Sequence, residues 1–220
     1  HGDRAMIVSH GRRYIFVHAP KTGGTAMALA LEARAQAGDI LIGDTPKARA
    51  RRGRVRALKP AGRLWKHSTL ADIAGVVGDE EIAAYFTLTL VRNPWDRAVS
   101  LYHWLRTQSF AHPAVGLARM LDFAGFVAHP QMQATFRAWP YAAWMRDRHG
   151  VERCRLFARL EHLAADIAPF EAHLGFRLRV QRANESDRAP DWRPYYDDAT
   201  ASLVADLCAE DIARFGYGFD

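Results

Sequence analysis

The chain has 220 residues, 49% hydrophobic and 25% charged, globular proportions that exclude a disordered chain, a collagen-like fibre and a disulfide-built mini-protein. Thirty Lys and Arg face 24 Asp and Glu, a formal net charge of +6. Only Lys21, Lys47, Lys59 and Lys66 are lysines, and the arginines that make up the rest carry a planar fork suited to phosphate, sulfate and carboxylate oxygens.

Along the chain, residues 1–13 are polar and basic and read as an N-terminal extension. They contain no apolar h-region of a secretory signal. Tyr14 to His18 (YIFVH) is rich in β-branched and aromatic residues and predicts a buried strand. Pro20-Lys21-Thr22-Gly23-Gly24 breaks it, and strong helix formers then run from Thr25 toward Gly38. Residues 47–66 hold nine Lys and Arg with little apolar periodicity and predict an exposed basic loop. Tyr85 to Val91 predicts a second buried strand, followed by a turn at Arg92-Asn93 and a helix from Pro94 to about Thr107. Residues 110–150 read as mostly helical, their aromatic side chains as core. Arg155 to Ala158 predicts a third strand, Glu161 to Leu174 a helix ending at Gly175, and Asp198 to Phe215 the last helix.

This alternation predicts an α/β fold, a mainly parallel central sheet flanked by helices. No repeat or low-complexity linker divides it, so residues 1–220 read as one domain. No segment reaches the roughly 18 apolar residues of a membrane span. Cys154 and Cys208 lack any metal-ligand spacing and are expected as thiols in a reducing, cytoplasmic compartment.

His18-Ala19-Pro20-Lys21-Thr22-Gly23-Gly24-Thr25 carries the chemistry. A helix N-terminus offers unpaired backbone N–H groups and the positive end of a dipole, which together bind anions. Gly23 and Gly24 let the backbone approach an oxyanion, Thr22 and Thr25 offer hydroxyl donors, and Lys21 brings a mobile charge. The order differs from the ATP-type loop GxxxxGK[ST], because here the Lys precedes both glycines. Arg92 closes the second strand, and Ser100 lies seven residues beyond Asn93, about two helical turns along the same face. Arg92 and Ser100 therefore suit a second anionic group, one that a single ligand would carry at its other end.

PKTGGT after one strand and RNPWDRAVS after another resemble the sulfotransferases that use 3′-phosphoadenosine 5′-phosphosulfate (PAPS), in the style of their carbohydrate-type branch. The resemblance extends to FARLE at 157–161, Asn184-Glu185-Ser186 and DIARFGYGF at 211–219. It implies a P-loop-like sulfotransferase fold and transfer of the sulfuryl group from PAPS to an acceptor hydroxyl or amine, with 3′-phosphoadenosine 5′-phosphate (PAP) as product and no metal. It further implies that Pro20, Lys21, Thr22, Gly23, Gly24 and Thr25 hold the 5′-phosphosulfate, that Lys21 stabilises the departing oxygen, and that Arg92 and Ser100 hold the 3′-phosphate. His67, between the two motifs, is the expected general base. Glu161 is the other candidate, with an ion pair to Arg159 as its structural alternative. His18 is expected to be packed. Asn184 and Ser186 are candidate nucleotide contacts, Trp139 and Trp144 candidate stacking platforms. The expected partners are PAPS and a small-molecule or glycan acceptor, anionic if the 47–66 segment guides it, and no nucleic acid. The competing readings are an atypical P-loop kinase and a metal-independent binding module for polyanions.

Overall fold

The computed structural model describes residues 4–181 and 191–220. In chain order its regular elements are β1 (Ala5–Ser9), β2 (Tyr14–Val17), α1 (Gly24–Ala33), β3 (Ile40–Gly43), α2 (Pro46–Ala50), α3 (Arg52–Arg56), α4 (Asp79–Ala84) and β4 (Phe86–Val91). They continue with α5 (Pro94–Arg106), α6 (Pro113–Met120), α7 (Phe123–Ala128), α8 (Pro130–Ala138), β5 (Leu156–Arg159), α9 (Leu163–Asp166), α10 (Ala168–Leu174), α11 (Asp198–Leu207) and α12 (Ala209–Phe215). None of the described helices is long and apolar enough to cross a membrane.

The α/β class is as expected: one five-stranded sheet in the order β3-β1-β2-β4-β5, with helices around it. The three strands legible in the sequence form its parallel part. Tyr14 pairs with Phe86 and Val17 with Thr89, while Leu88 pairs with Leu156 and Val91 with Arg159. The other two pairings, β1 with β2 and β1 with β3, are antiparallel. Residues 1–13 are thus more than an extension, since β1 lies inside the sheet with all five residues buried. The hairpin from β1 to β2 turns at Arg13, which adopts a left-handed φ of 54°. β2 and β4 are buried along their whole length, as strands covered on both faces must be.

The chain divides into two compact units. The first, within His1–Val91 and Tyr141–Asn184, contains the sheet, and its core gathers Ile7, Phe16, Met27, Leu31, Leu88, Leu90 and Phe170. The second, within Arg92–Pro140 and Glu185–Asp220, is helical. It packs Trp95, Tyr102, Phe123, Phe126, Trp192 and Leu207 together, and the indole Nε1 of Trp95 donates to the Ala201 carbonyl at 2.9 Å. No change of composition marks the crossing at Arg92.

The basic segment is also corrected by the structure. Thr45 caps α2, accepting from the Ala48 N–H at 3.3 Å, and Pro46 opens it, so residues 47–56 are largely helical. Several of its cations are tied down. Lys47 Nζ donates to the Glu32 carbonyl at 2.7 Å, Arg51 to the carbonyls of Gln36 and Asp39, and Lys66 pairs with Asp44 at 2.7 Å. α1 stops at Ala33, short of Gly38, and the expected last helix is interrupted at Cys208. Cys154 and Cys208 are both free thiols, and burial pushes that of Cys208 up to about 11.

Candidate functional site

In the first unit β2 ends at Val17, and the chain reaches α1 through six residues that make no regular structure. Two of them depart from ordinary backbone: Lys21 has φ 65° and Gly23 φ 77°, both left-handed. For Gly23 that conformation costs little, whereas a lysine there is strained by roughly 1–2 kcal/mol. Strain of this kind collects where the surroundings hold a residue for a purpose. The loop closes on itself: the Thr22 hydroxyl donates to the Ala19 carbonyl at 2.8 Å, and the Ala26 N–H donates to the Gly23 carbonyl at 3.2 Å. Thr22 is completely buried. Its hydroxyl is therefore engaged inside the loop rather than presented to a ligand, contrary to expectation. What Thr22 can offer an anion is its backbone.

The start of α1 is fitted for an anion. Gly23 stands at the N-cap without a side-chain bond, and the first turn holds no acidic residue. With the Ala26 N–H turned to the Gly23 carbonyl, the N–H groups of Gly24 and Thr25 and the positive end of the helix dipole suit an outside acceptor. The two glycines have packing reasons as well. A Cβ on Gly23 would meet the Leu160 side chain at 2.6 Å, and one on Gly24 would overlap the His18 ring.

His18 is 2% exposed, as expected of a packed residue, and the Nδ1 of its ring is buried without a hydrogen-bond partner among the described residues. Burial, reinforced by the nearby His67, Arg4, Lys66 and Lys21, holds its pKa well below the ordinary imidazole value, so the ring is neutral. Its backbone organises the next residue. His67 Nδ1 lies 2.7 Å from the His18 carbonyl oxygen. A carbonyl only accepts, so Nδ1 carries the hydrogen, and in neutral His67 the lone pair is on Nε2. The His67 ring is 6% exposed and meets the rings of His18 and Trp65 edge-on at 4.9 and 5.0 Å. The structure therefore joins His67 to the loop after β2, 49 residues away in sequence.

The second unit opens on Arg92. Its guanidinium is held through Nε by Asp96, 2.7 Å away and one helical turn along α5, with both side chains about 15% exposed. Asn93 caps α5 by accepting from the Trp95 N–H at 3.1 Å, and its amide donates to the Gly218 carbonyl at 2.9 Å. The Asn93 side chain takes one N–H of this helix start and Pro94 has none, so fewer backbone donors are left for an anion here than at α1. Ser100 lies on the buried face of α5 and is 3% exposed.

The remaining candidates separate. Glu161 is exposed, while Arg159 pairs with Asp166 through two bonds of 2.9 and 3.1 Å. Trp144 is 5% exposed and presents no stacking face, whereas Trp139 is 42% exposed. Asn184 and Ser186 lie outside the described residues. Sequence reasoning missed Leu160 and Trp65 as walls of the loop and of His67. Neither carries a local signal, because each acts through a contact distant in sequence.

A comparison with protein-family models finds no match, and a comparison with curated protein sequences finds none either. Among solved structures the chain is similar to mouse sulfotransferase SULT7A1, crystallised in complex with PAP. The TM-score is 0.43 at 14% identity, over 90% of this chain and 82% of that one. So distant a likeness leaves the activity to be argued from this chain's own residues.

Proposed function

We propose that the chain is a sulfotransferase that moves the sulfuryl group of PAPS to an acceptor hydroxyl, acting in the cytoplasm. The observation that carries this reading is the loop from Pro20 to Thr25, with its strained Lys21 leading into an uncapped helix N-terminus. The backbone N–H groups of 22–25 take the 5′-phosphosulfate, with the Thr25 hydroxyl as a further donor. Arg92 and Ser100 take the 3′-phosphate, the group that distinguishes PAPS from ATP. The acceptor oxygen attacks sulfur in line, the bond from sulfur to the bridging oxygen breaks, and PAP leaves with the electron pair. Lys21 meets the charge growing on that oxygen, a contribution of about 3–4 kcal/mol by analogy with other oxyanion donors. His67 Nε2 receives the acceptor proton, its tautomer fixed by the His18 carbonyl.

Calorimetric titration of PAP and of adenosine 5′-phosphate into wild type and Arg92→Ala tests the nucleotide assignment. The variant should lose at least tenfold in affinity for PAP and little for adenosine 5′-phosphate. Equal losses for both, or a wild type that does not prefer PAP, would refute it.

A further inference from the structure

A cavity of about 530 Å³ opens in the first unit beside β3, the α2–α3 pair and the chain from Leu58 to Lys66. Its volume suits a small molecule. Ile42, Val55, Leu58 and Leu64 line it together with Trp65, whose ring also meets that of His67 at 5.0 Å. No serine, threonine, asparagine, glutamine or tyrosine contributes to the lining, so its polar side chains are all charged. The charged groups are Arg52, Arg56, Arg63, Lys66 and a single acid, Asp44. Asp44 is taken by Lys66 at 2.7 Å, with Arg52 at 4.0 Å. Arg63 lies over the Trp65 ring at 4.9 Å, and Arg56 has no carboxylate partner among the described residues. Four cations against one acid leave the cavity with an excess of positive charge around apolar walls.

We infer that this cavity binds the non-reacting body of the acceptor, a small amphiphile with an apolar or aromatic frame and an anionic group, such as an aryl carboxylate. The apolar walls take the frame, Arg56 and Arg63 take the anion, and Trp65 is the wall shared with His67. The word acceptor rests on the sulfuryl-transfer reading, and the occupant differs from the bare sugar that the resemblance suggests. Binding in the cavity is measured without turnover.

The test titrates three probes calorimetrically into the full chain: 4-hydroxyphenylacetate, its uncharged methyl ester, and glucuronate. Wild type should bind 4-hydroxyphenylacetate at least tenfold more tightly than the ester and than glucuronate, because charge-assisted bonds to guanidinium add to burial of the ring. Both arginines are exposed, so the double variant Arg56→Gln/Arg63→Gln should fold, confirmed by circular dichroism. It should bring 4-hydroxyphenylacetate and the ester to within about threefold while PAP affinity stays unchanged. Equal binding of acid and ester by wild type, preference for glucuronate, or an unchanged gap in the variant would each overturn the inference. A fall in PAP affinity in the variant would also overturn it, because the cavity would then be a nucleotide site. If wild type shows the acid preference but binds no PAP, the cavity assignment stands and the sulfuryl-transfer reading fails.

Discussion

Replacing Lys21 by glycine separates what this residue does for the fold from what it does for the reaction. At φ 65° a lysine carries roughly 1–2 kcal/mol of steric cost that glycine does not. Glycine, in turn, loses about 0.4–1 kcal/mol more through the entropy of the unfolded chain. The balance is a variant about as stable as wild type, or more stable by up to about 1.5 kcal/mol. If the Lys21 ammonium meets the departing oxygen, the same variant forfeits about 3–4 kcal/mol of transition-state stabilisation, a loss of about 10²- to 10³-fold in turnover. Denaturant melts read the first quantity, and transfer from labelled PAPS at saturating acceptor reads the second. Destabilisation beyond about 1 kcal/mol would make Lys21 a structural residue. Turnover within about threefold of wild type would remove it from the chemistry.

Three further outcomes are expected. His67→Asn keeps an N–H able to reach the His18 carbonyl while deleting the basic nitrogen, so turnover should fall by about 10²- to 10⁴-fold with PAP affinity unchanged, and a parallel loss of PAP affinity would move the base elsewhere. Gly24→Ala drives a methyl into the buried His18 ring and should cost about 1–3 kcal/mol in a denaturant melt; an unchanged midpoint would mean that the ring moves aside without penalty. Because the folded state holds His18 neutral, its contribution to stability is complete above the unfolded imidazole value near pH 6.5 and is lost as pH falls below it, by up to about 1.4 kcal/mol per pH unit. Melts at pH 7.5 and 5.5 should therefore show a steeper loss for wild type than for His18→Gln, and equal slopes would remove His18 from the pH response.

The loop after β2 was legible in sequence because every requirement it meets is local: a strand-forming run, a proline, paired glycines and a run of helix formers within some twenty residues. The same holds for β4, the turn at Arg92-Asn93 and α5. β1 and β3 were not legible, because short strands are defined by the partners they pair with, and Ala5–Ser9 finds its partners at 14–16 and 40–43. The 45–56 helices did have a local signature, Thr45 before Pro46, outweighed by the density of charge that followed it.

For the candidate site the same division applies. Sequence alone determined which residues could bind an anion, since helix starts, glycines and the Lys and Arg side chains carry that chemistry wherever they occur. Only the tertiary structure decided that the Thr22 hydroxyl turns inward, that His67 stands on the His18 carbonyl, and that a cation-rimmed apolar cavity adjoins Trp65. Those outcomes depend on hydrogen bonds and packing between residues far apart in the chain, and no local propensity encodes which distant carbonyl a ring nitrogen will find.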